Sequence, residues 1–224
     1  MKAIRFSRET VFLFGILALA FFLRGWGVRF GLPYLYHADE PIVVNHALAF
    51  GMGDLNPHFF KIPPLVSYLL FICYGIYCVA GWGLGLFHSV RDFEQLFYFD
   101  PSSFYLIARL VFGVSLGTAS VYVLYRLVKQ FWNTQTALWA SFFFAANFLH
   151  ALDSHYVYDD IPLLFVLLLG FYFIFRMDFA VFGLYLHGLY GDLEGVGKGL
   201  DEPAPGPSAA VPEPPGLLRF AYVL

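Results

Sequence analysis

Apolar residues gather into five runs, at 11–23, 63–82, 104–127, 137–152 and 161–175, with polar residues and turn formers between them. Runs of that length, without the alternation of a half-buried strand, predict helices that cross or lie on a bilayer. The first run follows Lys2, Arg5 and Arg8 and reads as an uncleaved first span that extends to Trp26 from a cytoplasmic amino terminus. Ala18-Leu19-Ala20 imitates a signal cleavage site, but Phe21-Phe22-Leu23 carry the apolar run past it. Arg24 is then expected to snorkel to the outer interface.

Residues 24–61 are polar enough for a loop. Inside it, Pro41 is preset for a first helical position and disfavours helical backbone at the residue before it. That predicts a short helix with Glu40 as N-cap and Asp39 one residue outside, running to Phe50 and stopping at Gly51. Both carboxylates then sit at the positive end of a helix, where the ionised, proton-accepting form is favoured. Residues 51–58 are a turn-rich break.

Charge sets the topology. The positive-inside rule places Arg126, Lys129 and Arg176 in the cytoplasm, so 104–127 runs from outside to inside. Residues 24–103 must then begin and end outside. The run at 63–82 is expected to be a juxtamembrane or re-entrant helix in one long outer loop, bent at Pro63-Pro64, Gly75, Gly81, Gly83 and Gly85. Residues 137–152 return outward and 161–175 inward. The loop with Asp39-Glu40 and the loop from Asp153 to Asp160 then share the outer side, where two acid-bearing loops can converge. The expected fold class is all-α, a polytopic transmembrane helical protein. Residues 1–176 form its membrane domain, and 177–224, rich in Gly and Pro, form a disordered tail.

Composition agrees: 59% hydrophobic, 21% aromatic, 13% charged and a mean hydropathy of +0.67 describe an integral membrane protein. The net charge of −3 has no basic face for nucleic acid. Cys73 and Cys78, in an apolar run, read as buried thiols.

The phrase His37-Ala38-Asp39-Glu40-Pro41, the block from Gly53-Asp54-Leu55-Asn56-Pro57-His58 to Lys61-Ile62-Pro63, and Asp153-Ser154-His155-Tyr156 with Asp160-Ile161-Pro162 together resemble the C-class membrane glycosyltransferases. The resemblance lies with the dolichyl-phosphate-mannose protein mannosyltransferase and aminoarabinose transferase branch and covers residues 5–176. It implies transfer of a sugar from a polyprenyl-phosphate lipid to a protein, lipid or glycan acceptor on the non-cytoplasmic side, with inversion at the anomeric carbon. Asp39 matches the catalytic base, with Glu40 beside it assisting the acceptor. A hydroxyl acceptor needs such a base, and the leaving phosphate needs a cation. Arg24, Arg29, Lys61 and Arg109 are the candidates for that cation, Arg109 above all because an arginine inside an apolar run needs an anionic partner. Lys61 stands where relatives often carry an acid, which favours direct phosphate contact.

The second loop contributes Asp153, His155 and Asp160 as candidate site residues, with Asp159-Asp160 opening the next helix as Asp39-Glu40 open theirs. Carboxylate and imidazole ligands there, together with Asp39 or Glu40, would suit a divalent metal; no cofactor is firmly implied. Relatives continue through many further spans, so the chain reads as the amino-terminal part of such an enzyme, in a bacterial inner membrane or the endoplasmic reticulum membrane. The rival readings are a transporter or channel subunit and a non-catalytic remnant of the enzyme.

Overall fold

A computed structural model describes residues 7–176 of the chain. Lys2, Arg5 and the expected Gly/Pro-rich tail lie outside the described residues. Helix α1 spans Arg8–Gly25, α2 Glu40–Ala49, α3 Leu65–Gly83, α4 Val90–Phe99, α5 Ser102–Ala108, α6 Leu116–Phe131, α7 Thr134–Ala145, α8 Phe148–Asp153 and α9 Asp160–Arg176. Among the described residues there is no strand, and the domain is all-α. Two helices, Leu65–Gly83 and the continuous Ser102–Phe131, are long and apolar enough to cross a membrane.

Local sequence explains most of the boundaries. Ser7 caps α1, its Oγ accepting from the Thr10 amide at 3.2 Å. Helix α2 begins one residue earlier than predicted, with Asp39 rather than Glu40 as N-cap. It gives way to a 3-10 turn over Phe50–Met52 that closes at Gly53, whose φ of 95° suits glycine. Ser89 and Asp92 form a reciprocal capping box that starts α4, a helix the apolar runs did not predict.

Helix α6 is the packing centre, with α1, α7 and α9 around it. Small residues permit the approach: Ala20, Val121 and Ala145 form the cluster where α1, α6 and α7 meet. A second, larger core joins α2, α3 and α5, with Val43, Val44, Ala47, Leu70, Tyr74 and Phe104 all buried. Its aromatic edge contacts, such as Phe93 and Phe97 on Phe104, bring in α4.

For the run at 63–82 the expectation is a juxtamembrane or re-entrant helix interrupted at its glycines, and the structure differs at the glycines. Helix α3 continues through Gly75 and Gly81 as one unbroken helix. Gly81 instead admits the Phe87 ring, which a Cβ there would meet at 2.2 Å. The outward face of α3 is an apolar stripe of Leu65, Leu69, Ile72, Ile76, Val79 and Trp82, all exposed at helical spacing, while the opposite face packs on α2 and the start of α5. Cys73 and Cys78 are half-buried free thiols rather than fully buried ones.

Two further expectations are corrected. The run at 137–152 is not one helix: it breaks after Ala145, and Asn147 restarts the chain as α8 by accepting from the His150 amide at 2.9 Å. Arg24 does not snorkel. It is fully buried and donates to Ala20 O at 3.0 Å, Ala145 O at 3.1 Å and His150 Nδ1 at 2.8 Å. Its Nη groups are met in part by carbonyls at the α7–α8 break, which cannot be recognised from the local sequence of α1, while its Nε is buried with no partner among the described residues.

Candidate functional site

Between α5 and α6 the long helix widens into a π turn over Arg109–Ser115, a distortion frequent at functional positions. The extra residue is accommodated in part by Ser115 Oγ, which donates to Leu110 O at 2.8 Å. The turn starts at Arg109 and presents Gly113 to the second loop, where a Cβ would lie 2.1 Å from Ser154 O.

Arg109 is buried against Glu40, the first residue of α2, which is also fully buried. Nε donates to Oε1 at 2.8 Å and Nη2 to Oε2 at 2.6 Å. Nη1 donates to Val28 O at 2.9 Å and Phe30 O at 2.8 Å, and the guanidinium lies 5.7 Å over the Tyr156 ring. Glu40 Oε1 also accepts from the Val157 amide at 3.0 Å. The buried charges are thus compensated by a bidentate, charge-assisted pair and by three backbone bonds. One ion pair ties together the segment after α1, the start of α2, the π turn and the second loop. Arg109, predicted to face a phosphate, therefore faces Glu40, and neither carboxylate oxygen of Glu40 is open to an acceptor in this geometry.

Asp39 is different. It is half-buried and, among the described residues, its carboxylate takes no hydrogen bond and no ion pair; only its backbone is engaged, the amide donating to His37 Nδ1 at 3.3 Å and the carbonyl accepting from the Ile42 amide at 3.1 Å. The clamp at Glu40 holds this carboxylate in place without occupying it.

The second loop meets it. His37 packs on Tyr156 and Tyr158, with ring centroids 5.0 and 5.9 Å apart. With Asp153, Asp160 and Ile161, these three rings line a narrow cleft of about 20 Å³, room for little more than a water. Burial raises the Tyr158 hydroxyl, and the carboxylates of Asp39, Asp160 and Asp159 add to the effect. Burial and then Asp160 raise Asp153, against the opposing influence of His37. Asp159 is pushed up to about 6, by burial first and Asp160 second, and its Oδ1 is buried with no partner. Asp159 was read from sequence only as one of two acids opening the next helix, and the packing of Tyr156 and Tyr158 on His37 was not read at all. The available signal was the double acid ahead of Ile161-Pro162, and the aromatic residues gave none.

The remaining candidates separate. Lys61 and Arg29 are exposed. Arg29 lies between Val28 and Phe30, whose carbonyls are fixed on Arg109, so its side chain emerges beside the clamp. Arg24 sits in the α1–α7–α8 interior instead. His155 places Nδ1 2.8 Å from Ala151 O and Nε2 2.7 Å from Trp26 O. With both its ring nitrogens engaged and Glu40 held by Arg109, the mixed acid and histidine set that sequence suggested for a metal does not assemble. Among the described residues no three His, Cys, Asp or Glu side chains gather to hold an ion.

A family model described as dolichyl-phosphate-mannose-protein mannosyltransferase matches residues 61–184. That interval contains Lys61, Arg109 and the whole second loop and begins beyond Asp39 and Glu40. No curated protein and no solved structure matches the chain.

Proposed function

Because the chain belongs to the dolichyl-phosphate-mannose-protein mannosyltransferase family, we propose that it is a multi-pass membrane glycosyltransferase that moves a sugar from a polyprenyl-phosphate donor to an acceptor hydroxyl, with Asp39 as the base. The observation that carries this reading is the contrast between two adjacent carboxylates. Glu40 is locked onto Arg109, and Asp39 stands unengaged at the junction of the two acid-bearing loops.

In the proposed reaction the acceptor O–H gives its proton to Asp39 as its oxygen attacks the anomeric carbon. The bond from that carbon to the donor phosphate oxygen breaks with inversion, and the electron pair leaves on the phosphate. Negative charge grows there, and Arg29 and Lys61, both exposed and in no ion pair among the described residues, are the candidate cations to meet it. Glu40 and Arg109 act as positioning residues. His37, Tyr156 and Tyr158 offer ring faces at the mouth of the cleft where a sugar would rest.

A groove of about 530 Å³ between α2, α3 and α4, lined by Phe71, Tyr74, Phe93 and Phe97, offers room for apolar chain of the donor. The same helix, α2, starts at the Asp39 site and borders this groove further along. In the proposed topology α1, the long helix 102–131, the α7–α8 pair and α9 cross the membrane. Helix α3 lies at its outer face with its apolar stripe toward lipid. A bacterial inner membrane or the endoplasmic reticulum membrane would suit that arrangement.

The test is a transfer assay in membranes with a panel of labelled polyprenyl-phosphate sugars, comparing the chain with Asp39→Asn. Transfer by the chain that is lost in the variant supports the reading. Absence of transfer from every donor overturns it for this chain and favours the non-catalytic or transporter alternatives.

A further inference from the structure

At the far end of the bundle three cations and one carboxylate border the same cavity. Arg126 and Lys129 on α6 and Arg176 at the end of α9 border an open cavity of about 590 Å³, with Glu9 of α1 on its other side. Lys129 and the Tyr125 hydroxyl both donate to Glu9, which balances that one charge. Arg126 and Arg176 have no carboxylate within ion-pair distance among the described residues.

Instead they converge on a single neutral residue. Arg126 Nη2 and Arg176 Nη1 donate to the Tyr172 hydroxyl at 3.0 and 2.8 Å, and the two guanidiniums lie 5.6 and 5.8 Å from its ring centroid. Arg126 Nη1 donates to the Tyr122 hydroxyl at 2.8 Å. Phenol oxygens and ring faces supply only partial negative charge, so two like charges remain close together beside an open cavity. Tyr172 itself is buried, which fixes the hydroxyl that both arginines share.

Location supplies the second argument. Arg109 and Arg126 lie on one continuous helix, about 25 Å apart along its axis at ~1.5 Å per residue. The basin therefore opens at the opposite end of the bundle from the Glu40–Arg109 clamp, a separation close to the ~30 Å of a hydrocarbon core. At that depth the anions on hand are phosphates, of headgroups or in solution. Guanidinium N–H groups match phosphate oxygens in spacing as well as charge.

We propose that this basin is a binding site for a phosphate-bearing anion, with Arg126 and Arg176 as its ligands and Tyr172 as the residue that positions them. Arg126 and Arg176 are exposed and leave the packed core untouched when replaced.

The experiment uses the full chain purified in neutral detergent and reconstituted into nanodiscs of phosphatidylcholine with and without phosphatidylglycerol. Retained lipid is counted by native mass spectrometry, and melting is followed with and without millimolar inorganic phosphate. The chain is expected to retain phosphatidylglycerol at least tenfold over phosphatidylcholine, and Arg126→Gln/Arg176→Gln to lose that preference with unchanged melting in phosphate-free detergent. Stabilisation by inorganic phosphate that competes with the lipid identifies a free anion as a second source; lipid retention alone identifies the headgroup. Should the double variant fail to fold, Tyr172→Phe, which keeps both charges and the ring, is expected to weaken retention several-fold. The proposal is overturned if neither lipid nor phosphate is preferred by the chain, or if the double variant (or Tyr172→Phe in its place) binds them as the chain does.

Discussion

Glu40 and Arg109 stand 69 positions apart and close on each other in a solvent-free bidentate pair, Nε to Oε1 at 2.8 Å and Nη2 to Oε2 at 2.6 Å. The pair fixes the start of α2 on the π turn, and through Val157 it fixes the second loop as well. It joins the loop carrying the unengaged Asp39 to the second loop, and His37 of the one loop and Tyr156, Tyr158 and Asp160 of the other line the cleft between them.

Breaking this pair from one side leaves a buried charge alone. Glu40→Gln and Arg109→Met are each expected to cost about 3–5 kcal/mol. The double variant should lose much less than the two together, because the orphaned charge is the main penalty. Thermal or denaturant unfolding of all four forms in one detergent checks this; additive losses would mean the two side chains act independently.

Gly113 has no room for a side chain, since a Cβ would stand 2.1 Å from Ser154 O, whereas Gly15 in α1 has nothing within 4 Å. Gly113→Ala is expected to destabilise by roughly 1–3 kcal/mol and to loosen the second loop. Gly15→Ala should be neutral or stabilising by up to about 1 kcal/mol, as helix propensity dictates. Parallel melting curves and protease sensitivity of the loop separate the two effects.

Asp159 carries its proton more tightly in the folded chain than in the unfolded one, from 3.8 up to about 6. Its contribution to stability is therefore present below pH 4 and falls away as the pH rises through 6. Asp159→Asn removes the burial of a charge, so it should raise the melting temperature at pH 7.5 and leave it little changed at pH 4. A variant no more stable than the parent at pH 7.5 would place the carboxylate in solvent.

The apolar runs predicted helices close to α1, α3, the long helix at 102–131 and α9, because period, length and flanking charge are local properties. The meeting of the two acid-bearing loops was also legible, from charge parity alone. What escaped reading depends on partners distant in the chain. Arg24 looks like a snorkelling terminus until the carbonyls freed near Asn147, more than a hundred positions away, are seen to receive it. Arg109 looks like a phosphate ligand until Glu40 is seen opposite, and Glu40 looks like an assistant to the acceptor until it is seen buried on Arg109. Helix α4 was marked locally by the Ser89-x-x-Asp92 capping box, a signal overlooked because the segment is only weakly apolar. Nothing in the sequence marks the π turn.

The most direct measurement compares Asp39→Asn with Glu40→Gln in the same membranes, scoring sugar transfer from a polyprenyl-phosphate donor and melting of each form. With Asp39 as base and Glu40 as clamp, Asp39→Asn should lose transfer by about 10²–10⁴-fold while melting like the parent, and Glu40→Gln should lose transfer and stability together. Parental transfer by Asp39→Asn would contradict the assignment, as would a Glu40→Gln form that melts like the parent but has lost transfer.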